Sequence, residues 1–177
     1  ACVAADLCGA DRLDPAAAAY LRLGNLIEAD RTSQQVFGAS LGGDLPWQLP
    51  LAATSIGYAT GLEYREEKGR ARPDSIYESG LAGGFGSSSP VDARITIREA
   101  FGELLVPLAS DLRFAREINL EAGIRYARYR NEATIGGDAF SNNAYNTSWK
   151  LGADWKPSDE LRFSAMFQRA VRAPTLL

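Results

Sequence analysis

Residues 51–67 read LAATSIGYATGLEYREE, a stretch in which two kinds of side chain alternate one residue at a time. Leu62 and Tyr64 are at even positions, whereas the odd positions carry small residues and then Glu63 and Arg65. Successive side chains of a β-strand point to opposite faces, so a pattern with a period of two indicates a strand. The stretch therefore predicts a strand with one apolar face and one small or charged face.

The same alternation recurs along most of the chain. It predicts six strands, near residues 32–44, 51–66, 94–107, 117–130, 147–156 and 161–173. If the apolar face of these strands points to lipid, the opposite face lines an interior. The charged residues predicted to line that interior are Glu63, Arg65, Glu99, Glu103, Glu121, Arg125, Lys150 and Asp154.

The predicted connections alternate in length. Short ones are expected at DLPWQLP (44–50), ASDLRFARE (109–117) and KPSDE (156–160), and long Gly-, Ser- or Asn-rich loops at 66–93 and 131–146. Successive antiparallel hairpins would then place the short turns at one end of a sheet and the long loops at the other. This asymmetry, with strands of about 10–14 residues, is typical of an all-β, up-and-down outer-membrane barrel. A soluble β-sandwich whose polar face meets water is the alternative.

Composition excludes several function classes. The chain has no histidine, which removes the usual general base and the commonest zinc ligand, so an enzyme is not expected and no cofactor is predicted. A net charge of −3 gives no basic bias toward nucleic acid. The longest uncharged run, residues 45–62, is interrupted by Pro46 and Pro50 and does not predict a transmembrane helix.

Residues 1–31 differ from the strands that follow. Asp14-Pro15 is typical of a helix N-terminus, and the alanine-rich residues after it predict a short helix within a loop. Cys2 and Cys8 are the only two cysteines. They predict either a small disulfide in an oxidising compartment or two free thiols in a loop.

Five local motifs, in order along the chain, resemble successive β-hairpins of TonB-dependent receptors. They are GLEYREEKGRARPDS, REAFGELLVPL, INLEAGIRYARY, SWKLGADWKPSDELRF and QRAVRAPTLL. The Arg-Ala-Pro of the last motif is similar to a strand end of that family, and CVAADLCG is similar to a cysteine-containing extracellular loop in one branch. The resemblance covers nearly all of the 177 residues.

The resemblance implies a piece of a large plugged barrel in the Gram-negative outer membrane. Residues 1–31 would be part of an extracellular loop and residues 32–177 barrel strands and loops, with the plug domain absent from this sequence. The implied function is uptake of a scarce, bulky ligand (a siderophore, cobalamin, haem or an oligosaccharide) driven by the TonB complex. Implied partners are outer-membrane lipid, the plug, TonB and the ligand, but not nucleic acid. A soluble carbohydrate-binding β-sandwich module is the alternative function.

A few residues admit two interpretations within this frame. Arg172 either lines the lumen or is an interfacial arginine beside the membrane. Glu99 and Glu103 are expected to form lumenal ion pairs rather than an acid-base couple. Four aromatic residues predicted in loops either stack on a ligand or anchor the loops: Tyr77, Phe85, Phe140 and Tyr145.

Overall fold

The six predicted strands form one antiparallel sheet in which each strand pairs with its neighbours in sequence. The structure is a computed structural model and describes residues 15–22, 24–81, 84 and 86–171, with the backbone alone for Tyr20 and Leu21. Its elements are α1 Pro15–Leu21, β1 Glu28–Asp44, β2 Gly57–Pro73, α2 Ser75–Glu78, β3 Val91–Leu112, β4 Ala115–Ile135, β5 Asp138–Lys156 and β6 Phe163–Arg169. The prediction of an all-β antiparallel fold is confirmed.

The strand register decides which side chains share a face. Residues directly opposite each other on antiparallel strands lie on the same side of the sheet. Leu62 pairs with Ala39 and with Ala100, so the apolar positions of neighbouring strands are aligned. We call this side the outer face and the side that carries Glu63 and Glu99, which also pair, the inner face.

The two ends of the sheet differ in their connections. Residues 45–56, 113–114 and 157–162 join strands at one end, which we call the turn end. Residues 74–90 and 136–137 join strands at the other, which we call the loop end. The longest connection, residues 74–90, contains α2.

The predicted long loop at residues 131–146 is wrong. β4 and β5 continue through it and meet at a two-residue turn, Gly136-Gly137, with Ile135 paired to Asp138. Both glycines have positive φ, 59° and 100°. Such a turn suits the twist of a β-hairpin, and Gly-Gly is one of its preferred sequences. The motif IGGD therefore carried a hairpin signal that the surrounding Asn and Ser residues obscured.

The predicted tight turn at residues 44–50 is also wrong, because the connection runs from 45 to 56 and β2 begins only at Gly57. Backbone hydrogen bonds fold this connection on itself, as from Leu45 N–H to the Ile56 carbonyl (2.8 Å). It is also tied to β3, since Ser110 N–H donates to the Leu51 carbonyl (2.8 Å). The connection is thus a longer, hydrogen-bonded segment with Trp47 exposed, where a minimal turn was expected.

Aromatic residues of the outer face lie at two levels. Toward the loop end, Tyr126 stacks on Tyr145 with ring centroids 6.3 Å apart. Toward the turn end, Trp155 stacks on Phe163 at 5.5 Å, and its indole N–H donates to the Phe114 carbonyl (2.8 Å). Tyr145 and Trp155 are ten positions apart on β5. At about 3.4 Å per residue and a tilt near 45°, their levels are about 24 Å apart, close to the height of the apolar band of outer-membrane barrels.

The side chains between these levels are apolar and exposed. Leu62, Ile124 and Phe167 are 65%, 59% and 70% exposed. No helix among the described residues is long and apolar enough to cross a bilayer.

Candidate functional site

The inner face between the two aromatic levels carries the charged residues that the alternation predicts to line an interior. They lie on four adjacent strands: Glu63 and Arg65 on β2, Glu99 and Glu103 on β3, Glu121 and Arg125 on β4, and Lys150 and Asp154 on β5. The antiparallel register brings residues from distant parts of the sequence into contact, because each strand is aligned with the next over most of its length.

Lys150 is at the centre of this charged surface. Its Nζ donates to Glu103 Oε2 at 3.0 Å and also to Glu121 Oε1. One lysine therefore joins carboxylates of β3 and β4 from its position on β5. The three side chains are 28–41% exposed, so the attraction is only partly screened by water.

A glycine provides the space in which Lys150 lies. Gly123 pairs directly with Lys150, and a Cβ at that position would be 2.7 Å from Lys150 Cε. Glu103 pairs with the same glycine from the other side. The side chain of Lys150 thus crosses β4 over Gly123 to reach Glu103.

The next row toward the loop end repeats this arrangement with an aromatic ring. Phe101 lies over Gly61, where a Cβ would be 2.6 Å from the ring and 2.8 Å from the Ala39 carbonyl oxygen. The Arg125 guanidinium is 5.5 Å from the Phe101 ring centroid, and its Nη1 is 3.2 Å from Glu99 Oε2. A cation over an aromatic ring is favourable, so Arg125 is held by both partners.

Each remaining acidic residue of the set also has a basic partner. Glu63 is directly opposite Glu99, and two like charges in this position repel each other. Arg65 offsets the charge of Glu63, with Nη2 to Oε1 at 2.6 Å, as Arg125 offsets that of Glu99. Nearer the turn end, Asp154 accepts from Arg162 Nε (2.9 Å) and from the Ser164 hydroxyl (2.5 Å). Through Arg162 and Ser164 the network of polar contacts on the inner face extends from β5 to β6 and the residue just before it.

Several predicted site residues lie elsewhere. Arg172, Phe85, Cys2 and Cys8 are outside the described residues. Tyr77 lies in α2, within the connection between β2 and β3, and its backbone carbonyl accepts from Ser88 N–H (3.2 Å).

Phe140 and Tyr145 are in β5 and not in a loop, because that loop does not exist. Phe140 pairs with Ala133 near the tip of the β4–β5 hairpin, on the inner face, and is 58% exposed. Tyr145 lies on the outer face, stacked on Tyr126, with Arg128 over its ring at 5.5 Å. Tyr145 is thus part of the outer aromatic level, which explains its aromatic character without a ligand.

The two faces exchange character at the level of Tyr145, a feature that sequence analysis missed. Beyond it toward the loop end, the inner face of β3 and β4 holds an apolar cluster of Ile95, Ile97 and Tyr129, which Ala127 joins from one position nearer the turn end; each is about 4% exposed. The outer face of the same strand segments carries Thr96, Arg98, Arg128 and Arg130. The alternation in "RITIREA" and "RYARYRN" held this information, since arginines and apolar residues keep a period of two but with reversed sides.

Asp74 fixes the start of the connection between β2 and β3. Its carboxylate caps α2 by accepting from Tyr77 N–H and also accepts from Ile27 N–H, both at 2.8 Å. Asp74 N–H donates in turn to the Ile27 carbonyl (2.9 Å). The hydrogen bonds from the backbone of Ile27 and then of Tyr77 lower the pKa of Asp74 below its ordinary value, because they favour the charged form.

The chemistry of the described residues is ion pairing and packing. Among them no three Cys, Asp or Glu side chains come together as a ligand set for a metal ion. The five acidic side chains predicted to line the interior, Glu63, Glu99, Glu103, Glu121 and Asp154, are each joined to a cation instead.

Comparison with known protein families matches most of the chain. Residues 9–177 match the family described as TonB dependent receptor-like, beta-barrel. No curated protein matches the chain.

Proposed function

The chain belongs to the TonB-dependent receptor β-barrel family, and we propose that it forms part of the wall of a transporter that takes up a scarce, bulky ligand, such as a siderophore, cobalamin, haem or an oligosaccharide. The family lies in the Gram-negative outer membrane and consists of TonB-driven transporters rather than enzymes. One observation carries the proposal: the pairing register aligns exposed apolar side chains on the outer face of the sheet and ion-paired side chains on the inner face of β2 to β5.

The outer face is the lipid-facing wall in this proposal. Bilayer lipid offers no hydrogen bonds, so a membrane-spanning sheet must satisfy its backbone by closing into a barrel. β1 and β6 each pair with one neighbour among the described residues. We infer that both edges pair with further strands of the complete receptor. In this proposal residues 1–31 are part of an external loop and residues 32–177 are barrel strands and loops, with β1 pairing from Glu28 onward.

The inner face contacts the plug in this proposal. Lys150, Glu103 and Arg125 surround a depression of about 150 Å³ that also borders Gln168 of β6. A partner whose surface carries both signs of charge fits this surface best, since an unpaired charge buried against it would be costly. The predicted lumen-lining residues thus serve to hold the plug and to guide the ligand past it.

The ligand first meets the loop end. Phe140 offers an exposed ring on the inner face of the β4–β5 hairpin. Two positions along the strand, Asn142 pairs with Asn131, whose side-chain oxygen is buried and has no partner among the described residues. The exposed Phe140 ring suits a ligand with an apolar surface.

Uptake by the complete receptor tests this function. The full-length gene is expressed in a Gram-negative strain that lacks it, and accumulation of labelled ferric siderophores, haem, cobalamin and oligosaccharides is measured with TonB present and absent. Saturable accumulation of one class that disappears without TonB supports the proposal. Accumulation that is the same in both strains for every class of ligand would contradict it.

Charge reversal tests the role of the inner face. Lys150→Glu places a third carboxylate beside Glu103 and Glu121, and like charges at an interface cost several kcal/mol. We expect uptake to fall roughly tenfold or more while the receptor reaches the outer membrane at its usual level. Lys156→Glu, the same change at the turn end beside Asp159, is the matched control and leaves uptake close to that of the wild type. Equal uptake by both variants would show that Lys150 does not contribute to the contact between the inner face and the plug.

The alternative of a soluble β-sandwich lacks its main requirement. A sandwich needs a second sheet packed against the apolar face of the first. The described residues form one sheet, and its apolar outer face is exposed.

A further inference from the structure

The outer face changes from apolar to charged at one cross-strand row, beyond which the acidic Glu66 and Glu132 accompany the arginines. In that row Phe37 pairs with Tyr64, Tyr64 with Arg98, Arg98 with Arg128, and Arg128 with Tyr145. Two arginines therefore stand side by side, with an aromatic residue on each flank. On the outer face immediately below this row lie Ala100 and Tyr126, which belong to the apolar band.

These two arginines have no acidic partner among the described residues. Neither Arg98 nor Arg128 forms a salt bridge within the part of the chain that the structure describes, whereas Arg94, Arg125 and Arg130 each have one. Paired residues on antiparallel strands have Cα atoms about 4.5–5.5 Å apart, and like charges in that position repel each other. Folding alone thus leaves an unfavourable contact that an anion between the guanidinium groups would relieve.

The cluster is shaped as a small depression. Thr96, Arg98, Arg128 and Arg130, which we call the arginine cluster, surround an open volume of about 70 Å³. All four side chains project from the same face, and the three arginines are exposed. The Arg98 and Arg128 guanidinium groups present forked N–H donors, Arg130 shares its fork with Glu132 (2.8 Å), and the Thr96 hydroxyl adds another donor. Arginine forks match the oxygen geometry of phosphate and bind it in bidentate fashion.

The position of the cluster identifies the source of the phosphate. It lies on the lipid-facing side, with Arg98 and Arg128 in the row of Tyr64 and Tyr145 and with Thr96 and Arg130 just beyond it, where headgroups begin. We propose that the arginine cluster binds the phosphate of an anionic lipid headgroup in the external leaflet of the outer membrane. The inference rests on the proposed membrane placement of the sheet, but it does not depend on which ligand is transported.

Lipid retention by the complete receptor tests this proposal. Full-length receptor is reconstituted with bisphosphorylated lipid A in detergent, and bound lipid is counted by native mass spectrometry. We expect Arg98→Gln/Arg128→Gln to lower the apparent affinity roughly tenfold or more, because each basic residue near a charged membrane surface contributes appreciably to binding. Arg113→Gln, the same loss of charge at the turn end, is the matched control. Retention equal to that of the wild type in the double variant would overturn the proposal.

Two further measurements need no substitution. Lipid A from which the phosphates have been removed should bind roughly tenfold or more weakly to the wild-type receptor, and equal binding would refute the role of phosphate. Inorganic phosphate at millimolar concentration should displace little lipid A, and full displacement would show that the site takes a free anion instead. Ligand uptake is measured separately, so a receptor that retains lipid but transports nothing would contradict the proposed function and leave this site intact.

Discussion

At the scale of single residues, glycine decides where inner-face side chains can cross a strand. Gly61 and Gly123 leave room for Phe101 and for Lys150, so that each large side chain lies over the strand beside its own. The two glycines differ in which atoms an added methyl group would contact. Lys150 can bend away from Gly123, whereas Gly61 is also close to the fixed carbonyl oxygen of Ala39.

Gly61→Ala should therefore destabilise the barrel. The added methyl group would be 2.6 Å from the Phe101 ring and 2.8 Å from the Ala39 carbonyl, and overpacking of this kind costs about 1–3 kcal/mol. The free energy of unfolding of the full-length receptor in detergent, from a urea titration, measures the change. Gly102→Ala is the control, because nothing lies within 4 Å of that position, and it should change stability by less than about 0.5 kcal/mol. Equal effects of the two substitutions would contradict the packing over Gly61.

We predict that the connection between β2 and β3 becomes less ordered at low pH, because the Asp74 carboxylate holds it in place. Its pKa is lowered in the folded state, so its stabilising contribution is present above the unfolded pKa, about 3.9, and is lost as the pH falls through the folded value. Hydrogen-exchange protection of the Ile27 and Tyr77 amides, corrected for intrinsic rates, should fall in that acidic range. Asp74→Asn should weaken this dependence, whereas Asp159→Asn at the turn end should not. Protection that is constant down to about pH 2 would contradict this role of the carboxylate.

At the scale of elements, the β4–β5 hairpin extends the sheet well beyond the aromatic level of the outer face. Its tip at Gly136-Gly137 is fixed to the neighbouring connection, since Gly136 N–H donates to the Pro90 carbonyl (3.0 Å). The inner apolar cluster around Ile97 and Tyr129 stabilises the same segment. A rigid projection, rather than a mobile loop, thus presents Phe140 at the loop end.

A substitution in the Gly136-Gly137 turn should make the tip of the hairpin less rigid. Gly137→Val places a β-branched residue at φ 100°, a region that L-residues avoid at a cost of about 1–2 kcal/mol. We expect faster protease cleavage near the tip in intact cells, with the barrel itself still folded. Gly136→Asn is the matched control, because Asn tolerates the left-handed conformation at φ 59°. Similar cleavage of both variants would indicate that the turn does not determine the order of the tip.

At the scale of the whole molecule, the two faces of one sheet meet different surroundings. Leu151 on the outer face pairs with Phe167, and Lys150 on the inner face pairs with Gln168. Neighbouring positions in the same two strands therefore differ only in the direction of their side chains. This provides a direct test of membrane placement.

Leu151→Arg should impair insertion, and Gln168→Arg should not. A charge on the lipid face near the middle of the bilayer costs about 2–4 kcal/mol, whereas a lumenal charge alters contacts with polar neighbours. The fraction of full-length receptor that folds into lipid vesicles, read from its heat-dependent shift on gels, measures both variants. Comparable folding of the two variants would contradict the assignment of the outer face to lipid.

The sequence by itself determined the strands and their faces, because the period of two in 51–67 and its counterparts needs only local geometry. It also determined that Glu63, Glu103 and Lys150 belong to one surface. Tertiary structure decided which charges meet, since Lys150 reaches Glu103 only through the register of three strands. It likewise decided that Arg98 and Arg128 stand side by side between Tyr64 and Tyr145, although the alternation already showed the side of each. The reason is physical: alternation gives the side of each residue, whereas its neighbours and its depth in the membrane depend on how distant strands align.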